Sequence, residues 1–177
     1  APNPMARSLI TKSTGIVGLF VADITNPFYP EVLTKLTAGL QSIDLNVMLT
    51  VANPNENSDE QLRLLLSYQP DVVVVLAATL SSEAIEACRS TGTSVVFFNR
   101  RPSDPRALGV TCDNVAGGGL VADHLLDRGN RKLAYVAGRA DTSTNSDRWE
   151  GFRQRCLERG HGEPTKFDAG TFSYESG

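Results

Sequence analysis

Polar and aromatic side chains recur just beyond short apolar runs of this chain: Asp23 with Phe28 and Tyr29, then Thr79, then Asn99 and Arg100, then Thr142, Thr144 and Arg148. Arginine suits paired hydrogen bonds to hydroxyls or carboxylates, and aromatic rings offer a face on which a ligand can stack. Four such clusters in successive loops describe a ligand cleft. The alternative for Arg100 and Arg148 is solvated ion pairing with Asp104 or Glu150. Bond-making chemistry has little to work with, since His124 and His161 are far apart and neither a phosphate-binding loop nor a nucleophile elbow occurs. Gly117-Gly118-Gly119-Leu120-Val121-Ala122 fits a dinucleotide-binding pattern, with Asp141 downstream for a ribose contact. In that pattern the glycines form the turn off a strand. Here Asp113, Asn114, Val115 and Ala116 intervene, which puts the glycines inside a helix and predicts close packing of that helix against the sheet.

The elements that must carry these side chains follow from apolar runs at 16–21, 47–51, 72–76, 95–98 and 133–137, with helical patterns between most of them. This is a βαβ repeat and predicts a parallel sheet covered on both faces, with the clusters at one edge. Asn26 and Pro27 suit the start of a helix bearing Val32, Leu33, Leu36, Leu40 and Ile43 at helical spacing. A second helix is expected from an N-cap at Ser58, with Gln61 as capping-box partner and Leu62, Leu65 and Leu66 inward. A third covers 82–89 and closes before Gly92. Residues 100–106 read as a loop, and a boundary falls near Asp113-Asn114. Beyond it a helix carries Leu120, Val121 and Leu125 to Gly129, and after a strand another places Trp149, Phe152 and Cys156 on one stripe.

Length and composition frame these readings. The chain has 177 residues, 41% apolar and 21% charged, and a net charge of −3, a balance that argues against a whole-surface nucleic-acid binder. Local basic residues such as Arg7 and Lys12 remain available to phosphates. No apolar run is long enough to span a bilayer, and the first residues lack the core of a signal peptide, so a cytoplasmic location is expected. Cys88, Cys112 and Cys156 are odd in number and widely spaced, which suggests neither a disulfide framework nor a zinc site.

The order of Met5-Ala6-Arg7-Ser8-Leu9, the stretch from Gly18 to Phe28, Asp113-Asn114 with Ala116-Gly117-Gly118, His124-Leu125-Leu126 and Arg148-Trp149-Glu150-Gly151-Phe152 resembles the LacI family of bacterial transcriptional regulators across essentially the whole chain. The resemblance implies a periplasmic-binding-protein-like α/β fold, with parallel sheets flanked by helices in two subdomains around an effector cleft. On that reading residues 1–13 are a hinge segment, 14–113 the first effector-binding subdomain and 114–177 the start of a second, incomplete in this chain. It implies effector contacts at Phe28, Tyr29, Asp113, Thr142, Thr144, Arg148 and Phe172, beside Thr79 and Arg100 from the loop argument. It further implies Leu9 as a hinge wedge in the DNA minor groove, with Arg7 on phosphates. A small-molecule effector (a sugar, sugar phosphate or purine), a homodimer and operator DNA engaged by the full-length protein complete the implied partners, with no cofactor, membrane or catalysis. Asn99 and Asn130 depart from the family's usual Asp and His, and the expected helix-turn-helix does not precede the hinge in this sequence. The alternative is a solute-binding protein of a transport system sharing the fold.

Overall fold

In the computed structural model the described residues are 13–22, 24, 26–53, 57–76, 80–102 and 104–170. The Ile-Val-Gly-Leu-Phe-Val run forms β1 (Ile16–Val21), buried from Val17 onward. β2 (Asn46–Val51), β3 (Val72–Leu76), β4 (Ser94–Phe98) and β5 (Leu108–Val110) complete a five-stranded parallel sheet in the order β2-β1-β3-β4-β5. The chain reverses its direction of travel across this sheet between β1 and β3, and open α/β sheets bind ligands beyond the carboxyl ends of the strands at such a point.

Alternation along the strands divides the core into two layers. Phe20, Val73, Val75, Val95 and Phe97 meet Leu62, Leu65 and Ile85 of α2 (Ser58–Leu66) and α3 (Ser82–Ser90) on one face. Val17, Leu19, Val21 and Leu76 meet Tyr29, Val32, Leu33, Leu36 and Leu40 of α1 (Phe28–Gln41) on the other. Gly18 makes room for α2, because a Cβ there would lie 2.9 Å from Leu65 Cδ2. Each fully buried Leu or Phe contributes about 1.5–3 kcal/mol, so the two layers outweigh any single surface interaction in this unit.

Local details differ from the sequence expectations for identifiable reasons. α1 ends at Gln41 and the chain turns through Asp44 at φ 61°, which leaves Ile43 outside the helix and 65% exposed. Asn57, not Ser58, caps α2 by accepting from the Asp59 N–H at 2.9 Å, and Gln61 accepts instead from the Asn53 N–H at 2.9 Å. The strands β5 and β7 (Thr165–Asp168) were not expected, since neither Leu-Gly-Val nor Thr-Lys-Phe-Asp carries a sustained apolar or alternating run.

The chain divides into two compact units, 1–110 and 111–177, where the expected boundary lay between 113 and 114. In the second unit, α4 (Asn114–Asp127) and α5 (Ser143–Glu158) accompany β6 (Ala134–Ala137), which among the described residues pairs in parallel with β7 alone. Ala122, Phe152 and Cys156 form its buried centre, with Leu125, Leu133, Tyr135 and Trp149 around them. The close approach expected of α4's glycines against the sheet is instead made by Gly118 against α5. A Cβ on Gly118 would lie 2.8 Å from the Phe152 nitrogen and closer still to the Arg148 carbonyl oxygen, and one on Gly151 would lie 2.7 Å from the Val115 carbonyl carbon. The two backbones therefore touch at residues 115–118 and 148–152. Farther along, Asp123 pairs with Arg155 and, at 2.9 Å, with Arg159, which also reaches Asp127 at 2.8 Å.

Candidate functional site

In the first unit the candidate residues leave β1 and β4. Asn26 starts the turn into α1: its side-chain oxygen accepts from the Phe28 N–H and its carbonyl from the Tyr29 N–H, each at 3.1 Å. The two aromatics then part company. Tyr29 is 7% exposed and packs into the core, whereas Phe28 keeps 46% of its surface open and rests on Phe98 with ring centroids 6.4 Å apart and planes within 24°. Tyr29 meets Phe28 edge-on at 5.2 Å, so the exposed ring is braced from two sides.

β4 ends at Phe98, and Asn99 turns the chain through φ 57° while its N–H donates to the Val110 carbonyl at 2.8 Å. Asparagine tolerates this left-handed conformation better than most residues. Arg100 follows and is 8% exposed. Asp104 is engaged by Arg89 at 3.1 Å and by Arg106 at 3.0 Å, and the Arg106 guanidinium foremost holds its carboxyl far below the usual carboxylate range.

In the second unit the candidates gather where α4 and α5 begin. Asp113 caps α4, its carboxylate accepting from the Ala116 N–H at 2.9 Å. Thr142 caps α5, accepting from the Asn145 N–H at 3.3 Å and donating to the Arg139 carbonyl at 3.0 Å. Thr142, Thr144 and Asn145 are all buried, and the Tyr135 hydroxyl donates to Asn145 Oδ1 at 3.4 Å. Burial pushes that hydroxyl's pKa up, with Arg148 pulling the other way. Arg148 is exposed, and its Nε–H donates to Asn114 Oδ1 at 2.8 Å. Glu150, the other partner considered near it, pairs with Arg153 at 3.5 Å. Behind Arg148, Trp149 and Phe152 lie 5.3 and 5.8 Å from the Tyr135 ring and hold α5 on β6. Val121, Leu125, Ala134 and Val136 line a groove of about 430 Å³ that Asn114 and Arg148 also border. The amino ends of two helices and an arginine, with the Asp113 carboxylate already on one of those ends, offer donors for anionic or hydroxyl-bearing groups.

The sequence expectation that all clusters share one sheet edge is corrected: β1 and β4 belong to the five-stranded sheet, and β6 to the two-stranded one. The structure thus brings Phe28 and Arg100 to the first unit, and Asp113, Thr142, Thr144 and Arg148 to the second. Thr79, Phe172, Arg7 and Leu9 lie outside the described residues. His124 and His161 are exposed, Asp141 pairs with Arg139 at 2.7 Å, and the described residues hold no group of three or more candidate metal ligands. Sequence reasoning missed Phe98 and Asn114 as supports. Phe98 ends an apolar strand and reads as core, and Asn114 reads as part of a helix start. Its pairing with a residue 34 positions away leaves no local signal.

A sequence model of the family described as periplasmic binding proteins and sugar binding domain of LacI family matches residues 14–171. The HTH-type transcriptional regulator RegA of Clostridium saccharobutylicum is 29% identical over 161 residues, covering 90% of this chain and 48% of that protein. The ribose operon repressor of Halalkalibacterium halodurans is 28% identical over 158 residues, covering 89% and 47%. Among solved structures, the Cra transcriptional dual regulator of Pseudomonas putida, in complex with fructose 1-phosphate, superposes with a TM-score of 0.79 at 21% identity, covering 92% of this chain and 60% of that one. The chain spans about half the length of the curated relatives it matches.

Proposed function

This chain belongs to the LacI family, and we propose that it is the effector-binding part of a DNA-binding transcriptional regulator of the repressor type. The observation that carries the reading is Arg148, exposed yet held at 2.8 Å by a buried asparagine beside the starts of α4 and α5. An arginine whose only task was solubility has no need of such a support. Phe28 offers an exposed apolar face in the first unit. The effector is a sugar, sugar phosphate or purine, contacted by residues drawn from Phe28, Tyr29, Thr79, Arg100, Asp113, Thr142, Thr144, Arg148 and Phe172. A neighbour in fold was crystallised with fructose 1-phosphate.

The protein acts without catalysis, in the cytoplasm, as a homodimer. Support for the dimer comes from β2, an edge strand whose Leu49 and Val51 are 51% and 44% exposed beside Ile43. A parallel edge carrying that much apolar surface favours association. Arg7 and Leu9 contact operator DNA in the full-length protein, and effector binding shifts the population between DNA-binding and released states.

Calorimetry on the full-length regulator, with ribose, fructose 1-phosphate, hypoxanthine and guanine as probes, tests this reading. Arg148→Ala is expected to cost about 1.5–3 kcal/mol of binding, the range for a hydrogen bond to a charged group. Unchanged affinity of the best probe for a folded Arg148→Ala protein refutes it.

A further inference from the structure

Arg148 is anchored at both ends. Its main chain lies against Gly118, where a Cβ would come 2.8 Å from the Phe152 nitrogen and nearer still to the Arg148 carbonyl oxygen. Its Nε–H donates to Asn114 Oδ1 at 2.8 Å. Asn114 is itself 6% exposed, and its amide nitrogen donates to Thr111 Oγ1 and to the Cys112 carbonyl, each at 3.1 Å. Those two acceptors settle which way the amide points, because a flipped amide would set its NH₂ against the Arg148 donor and its oxygen against a carbonyl. Asn114 therefore has one acceptor to give, and Arg148 takes it. Among the described residues Arg148 has no ion-pair partner.

We propose that Asn114 is the positioning residue for Arg148: by occupying Nε it leaves the two terminal nitrogens to meet the ligand end-on, which selects a ligand group with two acceptors side by side, a carboxylate, a phosphate or a vicinal diol. This rests on the reading of Arg148 as an effector contact. A side-on approach, which uses Nε and one terminal nitrogen, is closed while the asparagine holds. A simple staple between α4 and α5 would not require a buried asparagine whose two amide hydrogens are both committed; Asn114 ties the guanidinium to residues 111 and 112 as well as to α4.

The test has two arms. In ¹⁵N-labelled protein the Arg148 Nε–Hε signal is identified by its loss in Arg148→Lys, and its exchange with water is measured. Exchange is expected to be at least roughly ten-fold slower than for exposed arginines, and to rise to their rate in Asn114→Ala. Unaltered exchange in Asn114→Ala overturns the proposal, and this arm needs no ligand. In the second arm inorganic phosphate, ribose and fructose 1-phosphate are titrated into the full-length protein. Asn114→Ala is expected to raise Kd by roughly 5- to 30-fold, with Asn114→Ala added to Arg148→Ala producing little further change. Full affinity in Asn114→Ala, where Arg148→Ala loses it, overturns the positioning role and leaves the effector reading standing. Full affinity in Arg148→Ala itself is the distinct result that removes the effector reading and the role built on it.

Discussion

Replacing Gly151 or Gly118 with alanine is expected to be far more costly than the same change one residue away. A Cβ on Gly151 would lie 2.7 Å from the Val115 carbonyl carbon and 2.9 Å from its Cα, and one on Gly118 would lie 2.8 Å from the Phe152 nitrogen. Ordinary carbon contacts are about 3.5–4.0 Å, so α4 and α5 would have to part by about 1 Å. The obstruction is backbone on both helices and cannot swing aside. Parting them loosens Ala122, Phe152 and Cys156, which are 0%, 2% and 1% exposed. Overpacking costs of about 1–3 kcal/mol therefore apply at their upper end. Alanine's helix preference offsets about 0.5–1 kcal/mol of that, which leaves a net loss of about 2 kcal/mol for each variant. Gly117 has nothing within 4 Å of a Cβ, and Gly119 meets only ordinary contacts at 3.7 Å or more. Gly117→Ala and Gly119→Ala should accordingly stabilise by up to about 1 kcal/mol. Urea denaturation followed by the fluorescence of Trp149, the single tryptophan of the chain and a resident of α5, reads all four variants. If Gly118→Ala is as stable as Gly117→Ala, the close approach of the helices is wrong.

Two further outcomes are expected from the first unit and the thiols. The Asp71 carboxylate accepts from Ser13 Oγ at 2.7 Å, the Thr14 N–H at 2.9 Å and the Gly15 N–H at 2.8 Å, pinning the entry to β1. Burial pushes its pKa up but these donors outweigh it, so the pKa sits below 3.8. The stabilisation is thus present above the unfolded value and lost as pH falls through the lower folded value. Asp71→Ala should cost about 1–3 kcal/mol at pH 7, and the gap from wild type should close in acid; a gap independent of pH below 4 contradicts the ionised anchor. With a thiol reagent at pH 8, Cys112 should react in a fast phase of one equivalent, because it is exposed while Cys88 and Cys156 are buried. Desolvation lifts Cys88 to about 11 and raises Cys156 as well, so two fast equivalents would refute that burial.

The sheet of the first unit was legible because its signal is local. Val-Val-Val-Val-Leu and Ser-Val-Val-Phe-Phe carry β-branched and aromatic runs bounded by turn residues, and they appear as β3 and β4 within a residue of expectation. The three-residue β5 has too little sequence to show a period, and it exists because β4 offers an edge for it. The sequence predicts that Gly117 to Gly119 pack against the sheet, whereas Gly118 packs against α5 and a Cβ on Gly117 would meet nothing within 4 Å, because periodicity identifies a face but not what lies against it. Gly151, three residues beyond Arg148, was the available clue: a small residue on each of two helices permits their backbones to touch. The site followed the same division. Asp113 and Thr142 were singled out from the sequence as effector contacts, and their capping of α4 and α5 emerged only from the structure, as did the Arg148–Asn114 hydrogen bond, which joins the starts of two helices and is a product of the fold.

That bond also bears on why position 148 holds arginine rather than lysine. An ammonium is a single point, and if it satisfied Asn114 Oδ1 it would be drawn from the ligand, while if it reached the ligand it would leave a buried acceptor unpaired. A guanidinium separates the two duties, with Nε on Asn114 at 2.8 Å and two nitrogens left over. Fixing a long side chain costs up to about 2 kcal/mol of rotamer freedom, and here folding has already met that cost. The same holds for Phe28, whose ring lies on Phe98 before any ligand arrives. If Arg148 and Phe28 contact the effector as proposed, binding has little ordering left to do at either residue, and more of each contact's intrinsic strength reaches the affinity.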